Sequence, residues 1–301
     1  MTRTAKSLLT LLVLLLHAGA CTAPIDIETN SSKPVIVIYG CLTENMAFQK
    51  IRISGSSPYF SDTQNAVVTN ASVSIRSSDS QTFELEENPD ERGTYLTLQP
   101  MAAMPGVTYT LSVEVDFDGD GIAETYTATA TMTPPVAIDS IAINPLKIMG
   151  YRHYALNLFA RDSPAPDYYL ARFVINDTIE TYRITDYTVF SDEGVNGQYL
   201  DNVTLWYFDD LDSELPFAGN IEIDTTFFVR PGYRISLLMS RVEQGYFNFI
   251  NQCQQEKNGE NPFFGGPPSN IETNISNGAA GYFAAFSTTA MEATVPKPED
   301  E

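Results

Sequence analysis

The chain has 301 residues, of which 38 are acidic and 17 basic, giving a net charge of −21. A hydrophobic content of 43% and an aromatic content of 11% exclude a disordered or low-complexity chain. The negative charge argues against nucleic acid and anionic membrane surfaces as partners, because both would repel the protein.

The N-terminus has the features of a signal peptide. Arg3 and Lys6 precede the apolar stretch 8–16, which is too short to span a membrane. The small residues 18–20 then stand directly before Cys21. This order favours cleavage by a lipoprotein signal peptidase, followed by acylation of the cysteine. The alternative is an ordinary secretory signal with a chance cysteine.

We therefore predict a lipoprotein signal peptide over 1–20, and an acylated cysteine with a polar tether over 21–34. Several acyl chains on one residue would anchor the protein firmly, since a single chain binds membranes only marginally. Processing leaves 15 basic and 38 acidic residues, a net charge of −23.

Residues 35–133 are predicted to form an N-terminal β-sandwich domain. Val35–Tyr39 is an apolar run typical of a buried strand, and apolar residues alternate strictly along 109–115 and 126–132. Short strands without a helical period over this length favour an immunoglobulin- or transthyretin-like sandwich. A Thr-Pro-Pro sequence at 133–135 ends the domain.

Residues 136–296 are predicted to form a second β-rich domain with one helix, followed by an acidic tail over 297–301. The helix is placed at 241–256, with Ser240 as its N-cap and Glu243 completing a capping box. The fold class is therefore all-β, with two sandwich-like domains. Further strands are expected at 154–159, 168–175, 187–190, 203–208, 233–239 and 279–287.

Two cysteines remain after the predicted processing. In an exported protein, Cys41 and Cys253 could form a disulfide, or they could be two buried free thiols. Both interpretations stay open, and the absence of a C-x-x-C pair argues against a zinc or thiol-redox motif.

The order of segments resembles a known family. The chain has a lipid-box cysteine, an I-D-I-E stretch, a Y-T-A-T-A-T-M-T-P-P run at 126–135, an NPF…PPSNI loop and a closing G-Y-F-A-A-F-S at 281–287. It is similar to the Bacteroidota lipoproteins catalogued as domain of unknown function 4249. The resemblance implies an outer-membrane lipoprotein, often encoded beside a TonB-dependent receptor. The family offers no catalytic residues to transfer, and the acidic loop at 116–124 is longer here than is usual for it.

That acidic loop is a candidate calcium site. Asp116, Asp118 and Asp120 alternate and precede Gly121, as in the first half of a D-x-D-x-D-G calcium loop, and Glu124 follows. Alternate carboxylates can converge on one hard cation. Because the flanking segments are strands, the site would be a hairpin loop. The alternative is an ordinary acidic hairpin turn.

Catalytic motifs are poorly supported, so we predict that the protein is not an enzyme. His153 is the single histidine of the processed chain, and we interpret it as a surface or packing residue. Paired carboxylates within 209–214 are interpreted as an exposed acidic turn rather than as a hydrolase pair.

Aromatic side chains offer a weaker signal for binding. Phe263 and Phe264 lie in a Pro- and Gly-rich loop that cannot easily bury them, so they are candidates for contact with a partner or ligand. Trp206 and Phe208 share one strand face and are assigned to the core.

The function favoured by the resemblance is non-enzymatic. We expect a lipid-anchored, surface-exposed outer-membrane protein that captures a ligand for a TonB-dependent receptor in nutrient uptake. The alternative is a surface adhesin or structural cell-envelope protein, and an enzyme comes third. No cofactor is expected beyond the possible Ca²⁺.

Overall fold

Alternating apolar side chains build seventeen strands in the part of the chain that the structure describes. This computed structural model describes residues 34–56, 66–181, 183–212, 227–258 and 271–297. The strands are β1 (Ile36–Leu42), β2 (Lys50–Gly55), β3 (Ser72–Ser77), β4 (Thr82–Glu87), β5 (Thr94–Thr97), β6 (Thr108–Val115), β7 (Glu124–Thr131), β8 (Ile138–Ile148), β9 (Tyr151–Arg161), β10 (Tyr168–Ile175), β11 (Thr178–Ile179), β12 (Thr188–Ser191), β13 (Tyr199–Asp210), β14 (Phe228–Val229), β15 (Arg234–Val242), β16 (Ala280–Ala285) and β17 (Thr288–Thr294).

One α-helix, α1 (Gln244–Asn258), and a 3₁₀ turn at Ile184–Asp186 accompany these strands in the described ranges. The prediction of an all-β fold is therefore confirmed. Among the same residues, none of the helices has the length and apolar character that a membrane crossing requires.

Seven strands of the first half of the chain and β16 form an eight-stranded sheet. Its strand order is β16-β1-β2-β5-β4-β3-β6-β7. The inward-facing residues of β6 are Tyr109, Leu111, Val113 and Val115, and all four are buried, which matches the alternation in the sequence. The segment before β16 also bonds to β7, because Ser276 and Asn274 contact the backbone of Thr127 and Thr129. The sheet therefore curls towards a barrel.

The strand that completes this sheet comes from the other end of the sequence. β16 pairs in parallel with β1, and Gly281 lies opposite Ile38. Gly281 has a φ of +99°, and a Cβ at this position would lie 2.1 Å from the carbonyl oxygen of Ile38. Only glycine fits so close an approach. Residues 280–285, which the sequence analysis assigned to the C-terminal domain, thus belong to the N-terminal sheet.

Two smaller sheets face each other in the second half. One has the order β11-β10-β15-β17, with β12 also paired to β10, and the other has the order β14-β13-β9-β8. Their shared core contains Phe173, whose ring centroid lies 5.5 Å from those of both Trp206 and Phe208. The assignment of these two aromatic residues to the core is confirmed.

The helix begins later than predicted. Ser240 does not cap it, because β15 continues to Val242 and the Ser240 hydroxyl lies 2.9 Å from that of Thr288 in the next strand. The first helical bond runs from the Phe247 N–H to the carbonyl of Glu243. Strand pairing with β17 has outweighed the local capping signal. The helix therefore covers 244–258 instead of 241–256.

The apolar face of α1 joins the two halves of the fold. Tyr246, Phe249 and Ile250 are buried in a cluster that includes Tyr282 and Phe286. The hydroxyl of Tyr246 also lies 2.7 Å from that of Tyr39 in β1 (Ile36–Leu42). The helix thus packs against the strand from the far end of the sequence and against the first strand.

Candidate functional site

The predicted acidic loop forms the exposed hairpin between β6 and β7. Asp116, Asp118, Asp120 and Glu124 can each place one carboxylate oxygen so that these atoms all lie within 4.8 Å of one another. The alternating spacing thus brings the four predicted residues together. The geometry is compatible with a hard cation that accepts oxygen ligands.

Backbone amides of the hairpin already occupy much of this oxygen surface. Asp116 accepts the N–H of Gly119 at 2.8 Å through one oxygen and that of Gly121 at 2.9 Å through the other. Glu124 accepts the N–H of Phe117 at 3.0 Å. The carboxylates therefore accept hydrogen bonds from the backbone of their own turn, as in an Asx-type loop, and these bonds stabilise the hairpin without a bound cation.

The two cysteines lie in one cluster and are free thiols in this structure. Cys41 in β1 and Cys253 in α1 both pack with the aromatic residues around Tyr246. The Cys41 sulfur lies 3.3 Å from the Tyr246 hydroxyl. Burial raises the pKa of Cys41, and burial raises that of Cys253 to about 11. Both groups are therefore neutral and poorly nucleophilic at neutral pH.

Several predicted site residues lie outside the described residues. These are the lipidation residue Cys21, with the signal peptide 1–20 and the tether up to residue 33, and the loop residues Phe263 and Phe264. Most of the acidic tail lies outside them too. The predictions made for these residues stay predictions.

His153 has a carboxylate partner on the neighbouring strand. Its Nδ1 lies 2.7 Å from Oδ1 of Asp209, directly opposite it in the pairing of β9 with β13. Asp210 is buried and contacts Arg152 at 3.2 Å. Asp209 and Asp210 therefore end a strand, where the sequence analysis had expected an exposed turn.

The clearest candidate site is a cavity that the sequence analysis missed. It lies between the two smaller sheets and has a volume of about 330 Å³. This falls at the lower end of the range for small-molecule pockets, ~300–1,000 Å³. Its walls are mainly apolar and include Leu158, Phe190, Leu200, Leu205 and Met239.

Two buried carboxylates interrupt this apolar lining. Asp162 and Asp192 line the cavity and are only 6% and 4% exposed. Asp167 lies beside them, and the three can bring one oxygen each within 4.8 Å of one another. Buried aspartates are rare in folded proteins unless they are paired, so three in one place need a physical explanation.

Strand pairing assembles this group from three chain segments. Asp162 follows β9, Asp167 precedes β10 and Asp192 follows β12. Strands β10 and β12 are antiparallel, and Tyr168 pairs with Ser191. The residue before Tyr168, Asp167, therefore lies opposite the residue after Ser191, Asp192. Turn residues at the strand ends have thus become one buried acidic group, which we call the aspartate triad (Asp162, Asp167 and Asp192).

Neutral donors hold the two cavity-lining aspartates. Tyr169 donates its hydroxyl to Asp162 Oδ1 at 2.8 Å, and the Gly197 N–H donates to Oδ2 at 3.0 Å. Asp192 accepts the backbone N–H of Asp167 at 2.9 Å. With the Asn196 side-chain amide turned so that its nitrogen faces the carboxylate, that nitrogen donates to Asp192 at 2.6 Å.

Among the described residues, a cation pairs with Asp167, the third member of the triad. Arg241 Nη2 lies 3.2 Å from Asp167 Oδ2, and the Ser163 hydroxyl donates to the same oxygen at 2.6 Å. Asp167 is therefore a charge-paired residue, whereas Asp162 and Asp192 face the cavity with uncharged partners.

The environment of the triad shifts two pKa values upwards. Burial raises the pKa of Asp192 above its ordinary value, and the nearby carboxylates of Asp162 and Asp167 raise it further. Burial and the hydrogen bond to Asp162 raise the pKa of Tyr169 well above its ordinary value, so its hydroxyl remains a donor. A carboxyl with a raised pKa inside an apolar cavity is typical of a functional site.

The comparison with protein families identifies a family for this chain. A family model described as Domain of unknown function (DUF4249) matches residues 22–292. The comparison with curated proteins finds no match.

Proposed function

This chain belongs to the DUF4249 family, and from that premise we propose that it is a lipid-anchored outer-membrane protein that captures a small ligand for a TonB-dependent receptor. In this proposal it is acylated at Cys21, exposed at the cell surface and without catalytic activity. The observation that carries the capture function is the cavity of about 330 Å³ between the two smaller sheets.

The cavity has the composition of a binding site rather than of a packing defect. Its walls are apolar and its polar groups are few and concentrated, a pattern that favours an oriented organic ligand. Native cores are packed at the density of organic crystals, and voids larger than a water molecule are few.

The rim of the cavity offers an entrance. Val203 lines the cavity and is 40% exposed, so a bulky side chain there would obstruct access without replacing a core residue. Val35 lies outside the cavity and has a similar exposure of 37%. These two valines provide a blocking variant and a matched control.

The experiment compares growth on limiting nutrients and attachment to surfaces. One strain carries a deletion of the gene. Two others carry the full-length gene with either Val203→Trp or Val35→Trp. We expect the deletion and Val203→Trp to slow nutrient-limited growth and Val35→Trp to leave it unchanged. Membrane anchoring and protein level, checked by fractionation and immunoblotting, should be equal in both variants. Wild-type growth of a stably produced Val203→Trp strain would contradict capture by the cavity, and a deletion that impairs attachment alone would favour the adhesin alternative.

The receptor partnership is tested separately. After gentle detergent solubilisation, the tagged full-length protein should co-purify with an outer-membrane β-barrel protein. Isolation as a clean monomer would contradict the partnership while leaving ligand capture to be judged by the growth experiment.

A further inference from the structure

The lining of the cavity also indicates the chemical class of its ligand. We infer that the cavity takes a small organic cation, with an apolar body against the walls and a protonated amine between Asp162 and Asp192. This inference rests on the proposed capture function and adds the ligand class to it.

The first argument is the distribution of charge around the triad. Arg241 contacts Asp167, whereas the partners of Asp162 and Asp192 among the described residues are hydroxyl and amide donors. The cavity also has Arg161 in its lining, but that guanidinium lies over the ring of Tyr199 at 5.7 Å. The cavity wall is therefore electronegative, and burial of such charge is unfavourable unless a cation compensates it.

The second argument is the chemistry that the walls exclude. An anionic ligand would meet two carboxylates at close range in a water-poor space, where repulsion is strong. A neutral apolar ligand would bury both carboxylates without offsetting their charge. An ammonium group has three donors and a full charge, so it can bond to both residues at once.

The third argument separates an organic cation from a metal ion. Calcium takes ~6–8 oxygen ligands around one point, whereas the triad brings together three carboxylate oxygens, one from each residue. Half of the lining residues are Leu, Val, Phe or Met, which would contact a hydrocarbon body, and the hydroxyls of Tyr169, Thr188, Ser191 and Thr204 add polar contacts. The combination fits an amine with an apolar substituent.

The test uses the purified full-length protein and three series of small probes. Butyl-, cyclohexyl- and phenethylammonium are each compared with the alcohol and the carboxylate of the same skeleton, by isothermal titration calorimetry and saturation-transfer NMR. We expect at least one amine to bind at least tenfold more tightly than its alcohol, and the carboxylates not to bind. The Asp192→Asn and Asp162→Asn substitutions should remove that tenfold preference, whereas Asp90→Asn, at an exposed position outside both acidic clusters, should not change it.

The possible results separate this inference from the proposed function. Equal binding of amine and alcohol, or binding of no amine, would overturn the cationic ligand class. Calcium binding that is lost in Asp192→Asn, without amine binding, would assign the triad to a metal and overturn the inference as well. The capture function itself fails only if Val203→Trp, which should block every probe, leaves nutrient-limited growth intact.

Discussion

The part of the chain that the structure describes contains two acidic clusters, of four and three residues, that differ in burial. The hairpin cluster at 116–124 is exposed and formed by one continuous stretch of sequence, while the aspartate triad is buried and formed by three separate segments. The hairpin carboxylates bond to the amides of their own turn. The triad carboxylates bond to groups brought in by tertiary structure. The comparison teaches that burial and partners, not the number of acidic residues, decide what an acidic cluster can do.

The largest difference between the clusters should appear in stability. We expect Asp167→Ala to reduce the free energy of unfolding by about 2–3 kcal/mol, because it leaves the partly buried Arg241 without its carboxylate. Asp118→Ala should cost less than ~0.5 kcal/mol, because that side chain is exposed. Urea unfolding of both full-length variants at neutral pH provides the measurement. Equal losses in the two variants would show that the triad is not a buried network.

A second difference should appear in the dependence of stability on pH. The raised pKa of Asp192 means that the folded state binds its proton more tightly than the unfolded state. The resulting stabilisation is fully present below the ordinary pKa of aspartate and is lost as the pH rises through the folded-state pKa. The charged and titratable groups around Asp192 are Asp162, Asp167, Arg161, Arg241 and Tyr169.

Asp192→Asn should therefore stabilise the ligand-free protein at neutral pH by about 0.5–2 kcal/mol and flatten the pH dependence. Asparagine keeps the shape and can still accept the N–H of Asp167. Urea unfolding at several pH values between 4 and 8 measures both effects. A variant that is less stable than the wild type at neutral pH would show that the ionised carboxylate is needed by the fold itself. That stability gain, together with lost amine binding, would be the trade-off expected of a binding residue.

The sequence predicted the local features of this protein well. Strict alternation predicted β6 (Thr108–Val115), and the D-x-D-x-D-G spacing predicted that the hairpin carboxylates converge. Both features are formed by neighbouring residues, so their periodicity is visible in one stretch of sequence.

The features that depend on distant pairing were not predicted. Gly281 gave no sign that it would lie against Ile38 in the first sheet, and Ser240 carried a capping signal that strand pairing overrode. Asp162, Asp167 and Asp192 looked like ordinary turn residues at strand ends. The signal that could have revealed them is the pairing of Tyr168 with Ser191, which a single sequence does not contain.

The smallest expected effect concerns calcium and separates the clusters most directly. The exposed hairpin has loop oxygens open to solvent, so we expect weak binding there, with a dissociation constant of about 1 mM as in extracellular modules. Stabilisation of the folded protein should then be about 0.4 kcal/mol at 1 mM Ca²⁺. A calcium titration of the unfolding midpoint should show this shift in the wild type and in Asp192→Asn, and should not show it in Asp120→Asn.

Magnesium should have a smaller effect, because it requires a near-ideal octahedral site. Loss of the shift in Asp192→Asn alone would show that calcium binds at the buried triad. If no protein shows a shift, the hairpin is an acidic turn stabilised by its own backbone amides and does not bind calcium.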